Sequence, residues 1–463
     1  MPASARPLPE QRSWPRRLLN RLEVDRAVFY AVLARAWQFL TGPVTLLLIA
    51  CYFTRQQQGF YYTFWSLAGL QSLFELSFYT VIVNVASHEW QKLHRDGRGA
   101  IAGDPAARSR LISLGRLSLL WYSVASLLFV AGVGAGGMVF FGQAKESVPE
   151  WEAPWLVFVM LSGLVFASTP LQGILEGCNQ VASVCRLEFW RAVMGTGAAW
   201  ICIPLGAGLW TPVVSTAVRL GCDSCLFAIS FGTFFAALFR RPEGPAMSWR
   251  REVWPMQWRV GVKGAVLYFT NQFVNPVVFH YHGSVAAGRM GMTWHILSSL
   301  QSAAAAWIRT RAPRFGILVS RGEYGELDRI FYRLSGVAMS IMVVSGALVC
   351  MVTAALGSLW PGLAARLLPP WPTALFALVV VLGLVPNFQW AYIHAHKQSP
   401  HVVLSVVSSV VTGLLIWWWG ARWGPAGAAL AMLAVLVFFS LPVWTWVWWR
   451  CRAEWHRHPP ATR

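Results

Sequence analysis

The stretch RRPEGPAMSWRREVWPMQW, residues 240–258, divides a strongly apolar chain into two halves of similar length. On each side of it lie six apolar stretches that are long enough to cross a bilayer as helices. These twelve stretches are 27–53, 59–86, 113–141, 154–174, 189–208, 210–239, 258–281, 288–308, 329–355, 372–394, 399–420 and 424–448. The dividing stretch is basic and contains Pro, so we interpret residues 240–257 as a linker between two bundles.

The division sets the expected domains, and breaks within the helices suggest how they are arranged. The domains are a basic tail at 1–26, a six-helix bundle at 27–239, the linker at 240–257, a second six-helix bundle at 258–448 and a basic tail at 449–463. Gly or Pro interrupts several helices, as at Gly42-Pro43 and Asn275-Pro276. In lipid, the carbonyls freed by such breaks must be satisfied by neighbouring helices or by cavity water. We therefore predict an all-α polytopic membrane protein with twelve transmembrane helices in two six-helix bundles around a central cavity.

Composition supports a membrane protein and argues against a nucleic-acid partner. Of the 463 residues, 56% are hydrophobic and only 12% are charged, whereas soluble domains carry about 25% charged residues. The net charge of +19 would suit nucleic acid if it were gathered on one surface. It is instead spread over seven separate segments, which favours topology and contact with anionic membrane lipids.

The basic residues also predict orientation. Of the 38 Lys and Arg residues, 29 fall in the two terminal segments and the even-numbered connections, and five fall in the odd-numbered connections. Positively charged connections stay on the cytoplasmic side, so both termini are expected in the cytoplasm. A miscounted helix would scramble this alternation, so the split also supports the helix count.

The sequence predicts neither a cofactor nor a metal. Eight cysteines lie mostly within or beside helices, and Cys222 and Cys225 form a C-x-x-C without a second pair that would complete a metal site. No phosphate-binding loop of the Gly-x-x-x-x-Gly-Lys-Ser/Thr type occurs, so an ion gradient or the gradient of a lipid cargo would have to drive transport.

Charges inside apolar stretches are the candidate functional residues, because each costs about 2.5–3.5 kcal/mol at the bilayer centre. Glu75 lies near the middle of the second stretch and is a candidate for ion coupling, or else a protonated structural residue. Arg219 and Asp223 lie four residues apart on one helix face. They form either a neutralising pair or a site where an anionic head group competes with Asp223, which also makes Asp223 a candidate for ion coupling.

Three further cations complete the predicted diphosphate site. Arg35 lies two turns into the first helix, and Arg116 and Lys263 lie near the cytoplasmic ends of the third and seventh helices. Arg116 and Lys263 could instead extend to the membrane interface. Together with Arg219, these residues would give the cytoplasmic half of a central cavity the positive charge that a pyrophosphate requires.

Several stretches resemble the O-antigen and polysaccharide flippases of the multidrug/oligosaccharidyl-lipid/polysaccharide exporter superfamily. The resemblance is carried by QGFYYTFWSLAGLQSLFELSFYTVIVNVASHEW (58–90), PLQGILEGCNQVASVCR (170–186), REVWPMQWRVGVKG (251–264), AAGRMGMTWHILSSLQSAAAAWI (286–308) and WGPAGAALA (423–431). It implies two bundles whose cavity opens alternately to each face, in a multi-pass protein of the bacterial inner membrane. By helix position, it implies that Arg35, Arg219 and Lys263 bind the diphosphate of the cargo.

The function expected from this resemblance is transport rather than catalysis. The cargo would be a polyprenyl-diphosphate-linked oligosaccharide used for surface polysaccharide, with membrane lipids and a polysaccharide polymerase machinery as further partners. An ion-coupled drug/cation antiporter of the same superfamily is the nearest alternative, but it would favour an acidic pocket. A membrane glycosyltransferase or polymerase is the other alternative, although the connections on the outside offer little room for a catalytic domain.

Overall fold

The computed structural model describes residues 26–144, 150–239, 244–255, 257–258, 261, 268–269, 272–396 and 402–457. Lys263, one of the predicted cations, lies outside the described residues. Apart from one short hairpin, the secondary structure described is helical, and the chain is a multi-pass membrane protein.

The first half contains the elements up to Phe239. They are α1 (Arg26–Tyr52), α2 (Arg55–Ala68), α3 (Gln71–Glu75), α4 (Phe78–Trp90), β1 (Leu93–Arg95), β2 (Ile101–Gly103), α5 (Pro105–Gly142), α6 (Glu152–Gly177), α7 (Val181–Cys202), α8 (Trp210–Cys225), a π-helical turn (Leu226–Ser230), α9 (Phe231–Ala236) and a 3₁₀ turn (Ala237–Phe239).

The second half follows the same helical pattern. Its elements are a π-helical turn (Trp249–Val253), α10 (Val274–Arg309), α11 (Ala312–Arg321), α12 (Tyr324–Leu359), α13 (Pro361–Ala364), α14 (Pro370–Ala395), α15 (Val402–Val435), a π-helical turn (Leu436–Ser440) and α16 (Leu441–Arg457).

Backbone breaks convert the longest helices into pairs of membrane passes. Seven described helices are long and apolar enough to span a bilayer, or eight when α2–α3 and α4, bent by 48°, are taken as one pass. Gly283 (φ 85°) breaks α10, and Gly424 (φ 62°) breaks α15; glycine adopts these backbone angles without a Cβ penalty. The predicted fold class of two six-helix bundles around a central cavity is confirmed.

The passes alternate between two ends of the molecule. We call the end that holds the β1–β2 hairpin and α11 the basic end, and the opposite end, which holds Gly283 and α13, the far end. At the basic end, Arg110 bridges Glu89 at 2.7 Å and Glu252 at 2.6 Å, and thereby joins α5, α4 and the turn between the halves.

The segment predicted as a linker packs on the first half wherever it is described. Trp249 stacks on Trp121 with ring centroids 4.9 Å apart, and the backbone N–H of Met247 donates to Ser113. A hydrogen bond from the Ser248 backbone N–H and the charge of Arg110 lower the pKa of Glu252. The turn at 249–253 is therefore held against α4 and α5.

The second half is closed at the basic end by a charge cluster around Asp328 of α12. Arg452 of α16 contacts both carboxylate oxygens, at 2.5–3.2 Å, and Tyr392 of α14 donates its hydroxyl at 2.8 Å. Beside them, His396 stacks on Trp455 with ring centroids 3.6 Å apart. Arg452 and Trp455 both lie on α16, which is helical to Arg457, so residues 449–457 of the predicted tail continue the last helix.

Small residues allow close packing inside the first half. Trp155 is fully buried, and its indole N–H donates to Gly134 at 3.1 Å. A Cβ added to Gly137 would lie 2.2 Å from the same ring, so α5 and α6 can approach this closely only with glycine there. Small residues at helix crossings are a general device of membrane bundles.

Candidate functional site

A cavity of about 390 Å³ lies between the two halves, in the part of the membrane nearer the far end. This volume falls within the range of ligand cavities, about 300–1,000 Å³. Both halves line it: Gly42, Thr45, Leu46, Ile49, Tyr61, Tyr62, Trp65 and Ser66 come from the first, and Gln272, Asn275, Met290, Gly291, Trp294, His295 and Ser298 from the second. A relative movement of the halves would therefore change its shape directly.

The lining is aromatic and polar without a formal charge, apart from the titratable His295. None of the described lining residues is Asp, Glu, Lys or Arg. The hydroxyl of Tyr62 is buried and has no hydrogen-bond partner among the described residues, while Gln272 and His295 are exposed to the open space. Aromatic faces beside hydrogen-bonding groups suit a ligand that is itself both apolar and polar.

The Gly42-Pro43 pair, where the sequence predicted a break, lies within the continuous helix α1, and Gly42 lines this cavity. Pro43 has no N–H to donate to the carbonyl of Phe39 one turn earlier, as for proline within any helix. Thr41 and Thr45 donate their hydroxyls to backbone carbonyls one turn earlier, and Trp200 of α7 donates to the Thr45 hydroxyl at 2.9 Å. Side chains thus stabilise this stretch of α1 against α7.

At the far end, a polar contact centred on Gln58 ties the halves together. Gln58 is 1% exposed, and its amide donates to the carbonyl oxygens of Gly288 at 2.9 Å and Arg366 at 3.0 Å. The guanidinium of Arg366 reaches back to the carbonyl of Phe53 at 2.5 Å. We call these residues the far-end seal.

Glycines bring the two backbones together just beneath this seal. A Cβ on Gly59 would lie 1.9 Å from the carbonyl oxygen of Ser284, and a Cβ on Gly288 would lie 2.9 Å from the backbone nitrogen of Gly59. Nearer the middle, Asn275 and Thr63 are hydrogen-bonded at 3.1 Å. The crossing of α2 and α10 is therefore closed by direct backbone contact, with no room for a passage.

The predicted diphosphate cations are not part of the described cavity lining. Arg35 is exposed on α1, seven residues and hence two helical turns from Gly42, which places it on the same face about 10 Å nearer the basic end. Arg116 is exposed on α5, and Arg219 is exposed on α8. Their role in binding a diphosphate remains a prediction.

The expected pairing of Arg219 with Asp223 is corrected by the structure. Asp223 is fully buried and forms its salt bridge with Arg191 of the neighbouring helix α7. Arg219 lies close enough to act on Asp223 through its charge, but the described contacts give the hydrogen bond to Arg191. One oxygen of Asp223 and one terminal nitrogen of Arg191 lack a partner in the described structure.

Glu75 lies at a break in its membrane pass rather than inside a continuous helix. It ends α3, and the next two residues, Leu76 and Ser77, have left-handed backbone angles (φ 50° and 52°). The hydroxyl of Tyr122 on α5 donates to Glu75 at 3.2 Å. Glu75 is half-buried and is absent from the described cavity lining, so its polar surroundings come from Tyr122 rather than from the cavity.

The break itself faces the second half. A Cβ on Gly261 would lie 2.8 Å from the Cβ of Leu76, and a Cβ on Gly69 would lie 3.2 Å from the side chain of Gln272. The bent pass therefore touches the other half at two levels on the basic-end side of the cavity.

Sequence reasoning missed the residues that build the cavity and the seal. Gln58, Tyr61, Tyr62 and Trp65 all fall within the stretch 58–90 that carried the family resemblance, yet only Glu75 was selected from it. The sequence feature that could have indicated them is a Gln beside a Gly and a run of aromatic residues at the start of a membrane pass. Arg191 was not selected because it lies within one turn of the start of its predicted apolar stretch, 189–208.

Comparison with known structures identifies the fold. The chain is similar to the inward-facing conformation of a multidrug resistance MATE family transporter of the MOP superfamily, with a TM-score of 0.61, 13% identity and coverage of 90% of this chain and 99% of the other. It is similar to the lipid II flippase MurJ in its inward closed conformation, with a TM-score of 0.61, 9% identity and coverage of 90% and 87%.

A third similar structure is a MOP superfamily transporter from Pyrococcus furiosus, described as having a binding pocket of reverse polarity that suggests a different function. Its TM-score is 0.53 at 12% identity, covering 93% of this chain and 95% of the other. No protein-family model and no curated protein matches this sequence. At these identities the comparisons show the fold, which is that of MOP-superfamily transporters.

Proposed function

We propose that this protein is a flippase that moves a polyprenyl-diphosphate-linked oligosaccharide across the bacterial inner membrane by alternating access, for surface polysaccharide assembly. It acts by transport and not by catalysis, with the basic end and both termini in the cytoplasm. Its partners are the lipid-linked cargo, membrane lipids and a polysaccharide polymerase machinery. The likeness to MATE transporters and to a lipid II flippase supports the transporter class and leaves the cargo to be argued from the cavity.

The observation that carries the proposal is the character of the cavity between the halves. Tyr61, Tyr62, Trp65 and Trp294 offer aromatic faces on which the C–H face of a sugar ring can stack, and Gln272 offers hydrogen bonds to its hydroxyl groups. An uncharged lining of this kind suits an oligosaccharide, which is polar but neutral over most of its surface.

Arg35 provides the place for the diphosphate in this proposal. If the cargo enters from the basic end and its sugars occupy the cavity, its diphosphate lies nearer the basic end. Arg35 lies there, on the same face of α1 that lines the cavity. A guanidinium binds phosphate oxygens bidentately. Arg116, Arg219 and Lys263 remain proposed contributors of positive charge along the same entry route.

Two carboxyl groups are the proposed ion-coupling residues. Asp223 is buried beside Arg191, and one of its oxygens has no partner in the part of the chain that the structure describes. Glu75 lies at the break of its pass, where a change of protonation would act on a bent backbone. Glu75→Gln should change the response of transport to an imposed ion gradient. Tyr122→Phe, which removes the hydroxyl bound to Glu75, is the matched change that leaves the carboxyl in place.

A drug/cation antiporter is the second candidate, and the MATE fold likeness favours it. An organic cation in a low-dielectric cavity needs an acidic partner, because an isolated charge is costly there. The described lining provides aromatic rings but no carboxylate. A membrane glycosyltransferase or polymerase finds no specific support in this cavity.

The proposal is tested with purified protein in vesicles. The substrates are a fluorescent polyprenyl-diphosphate oligosaccharide, the same lipid without sugar, and a cationic dye. We expect the sugar-bearing lipid to be moved, Trp294→Ala to reduce its movement at least tenfold, and Trp294→Phe to retain most of it, because the phenyl ring preserves stacking. Trp371→Ala is the control, since Trp371 is 67% exposed on α14 and outside the cavity lining.

The outcomes separate the candidates. Movement of the dye but not of the lipid would establish the antiporter instead, and equal movement of both lipids would remove the sugar site from the cavity. In cells, Arg35→Gln and Arg219→Gln should each abolish surface polysaccharide while the protein stays in the membrane. Normal polymer output would exclude the substituted residue from the diphosphate site.

A further inference from the structure

A second concave site lies on the outer surface of the first half, away from the central cavity. It is a groove of about 260 Å³ between α7 and the π-helical turn that follows α8, near the basic end. Trp190, Leu226 and Ile229 form its apolar wall, and Trp190 and Ile229 are 50% and 82% exposed. An apolar groove on this surface faces the acyl chains of the membrane.

One end of the groove is positively charged. Arg186 lines it and is exposed one helical turn from Trp190, on the same face of α7. Ser230, at the opposite wall, accepts a hydrogen bond at its backbone carbonyl from Arg95 of the hairpin, at 2.8 Å. Two guanidinium groups, from separate elements, therefore border one end of the groove.

No acidic residue is among the described residues that line this groove. The nearest acid in sequence, Glu188, is two positions from Arg186 and so points to another side of α7. On that side its charge acts on Arg219 and Cys185. The positive charge at the groove is thus left without a carboxylate on the groove side.

We propose that this groove is a binding site for one anionic phospholipid of the leaflet at the basic end. Arg186 would bind the phosphate oxygens, with Arg95 adding positive charge, and one acyl chain would lie along Trp190 and Ile229. Basic pockets between helices are suited to anionic head groups, and each nearby basic residue contributes to selection over a zwitterionic lipid. The proposal is independent of the cargo in the central cavity.

The groove contains a native reporter. Cys225 lines it and is exposed, and Cys51 is an exposed cysteine on α1, outside the groove. The experiment uses full-length protein in detergent from which lipid has been removed. We expect phosphatidylglycerol to slow the alkylation of Cys225 by N-ethylmaleimide about fivefold more than phosphatidylcholine does. This factor is the effect expected of one basic residue on the binding of an anionic lipid. Alkylation of Cys51, followed by mass spectrometry in the same sample, should not distinguish the two lipids.

Variants and salt test the role of the guanidinium. Arg186→Gln should remove the difference between the lipids, Arg186→Lys should keep much of it, and Arg422→Gln should keep all of it, because Arg422 stacks on Trp418 near the far end. High salt should weaken the preference in the unaltered protein. Equal protection by both lipids, or the same loss in the Arg186→Gln and Arg422→Gln variants, would overturn the proposal.

Discussion

The side-chain amide of Gln58 donates to the carbonyl oxygen of Gly288 across the boundary between the two halves, over 2.9 Å. This bond joins the first turns of α2 to α10, and the second bond of the same amide, to Arg366, joins them to the far-end connection. In the proposed alternating-access cycle the halves part at this end, so the far-end seal would break in every cycle.

Gln58→Leu should open the far-end seal more often. The change leaves the carbonyls of Gly288 and Arg366 without their buried donor, at a cost of about 1–3 kcal/mol to the closed state. We expect the thiol introduced by Ser298→Cys in the cavity, with the native cysteines replaced, to react at least fivefold faster with an impermeant maleimide added at the far end.

The control for this experiment is Gln389→Leu. Gln389 is also buried, at 5% exposure, but it bonds Thr445 within the second half. The Gln389→Leu variant should lower stability without changing how fast the maleimide reacts at position 298. If both leucine variants raised the rate equally, the bond at Gln58 would be an ordinary packing contact and not part of a seal.

Gly59→Ala should separate the backbones of α2 and α10. The added methyl would lie 1.9 Å from the carbonyl oxygen of Ser284, a contact that only a backbone shift can relieve. We expect the far-end reactivity at position 298 to rise and the thermal midpoint to fall. Gly336→Ala is the control, because a Cβ there meets nothing within 4 Å in α12 and improves helix propensity by up to about 1 kcal/mol. An unchanged midpoint in Gly59→Ala would show that the crossing tolerates a wider separation.

Arg191→Met should destabilise the first half strongly, because it leaves the fully buried Asp223 without its partner. Breaking one side of a buried ion pair costs about 3–5 kcal/mol. Adding Asp223→Asn to the same protein should restore much of the loss in thermal unfolding. Arg314→Met removes an exposed ion pair with Glu326 and should cost at most about 1 kcal/mol. Equal effects of the two single changes would mean that Asp223 is neutral in the folded protein.

His396 should make stability depend on pH. Burial lowers the pKa of His396, so the folded protein binds this proton less readily than the unfolded chain does. Its contribution is therefore present above the usual value of about 6.5 and is lost as the pH falls below it. The groups that face it are Tyr324, Asp328, Tyr392, Trp455 and His456.

The test compares the thermal midpoint at pH 7.5 and pH 5.5. His396→Phe keeps the stacking on Trp455 and removes the titrating group, so the fall in midpoint between the two pH values should be smaller than in the unaltered protein. An identical fall would exclude His396 as the source of the pH dependence.

The passes could be predicted from sequence, whereas most contacts at the site could not. Bilayer thickness sets the length of a membrane helix, so the apolar stretches were readable, and the alternation of basic residues supported their number. The partner of Asp223 was not readable in the same way. Arg219 meets the spacing rule on one helix, but the packing of α7 brings Arg191 closer. Gln58 and Gly288 are 230 residues apart, and a single sequence gives no distance between them.

The cavity lining was hidden for a related reason. Intramembrane charges attract attention because their insertion is costly, and the candidate site residues were selected by that cost. Tyr61 and Trp65 carry no such cost, although both face the cavity.

Leu76 and Ser77 give the second pass a conformational preference of its own. Each holds left-handed backbone angles that disfavour an L-residue by about 1–3 kcal/mol. Together they cost about 2–6 kcal/mol, and the upper part of this range reaches the roughly 5.5 kcal/mol that reverses a two-state population from 1:99 to 99:1. A straightened second pass is therefore the intrinsically relaxed form of this segment. The bent form therefore has to be maintained by the packing around the break, which includes the close approach of Leu76 to Gly261. In the proposed transport cycle, release of that packing would favour straightening of the pass without help from an ion.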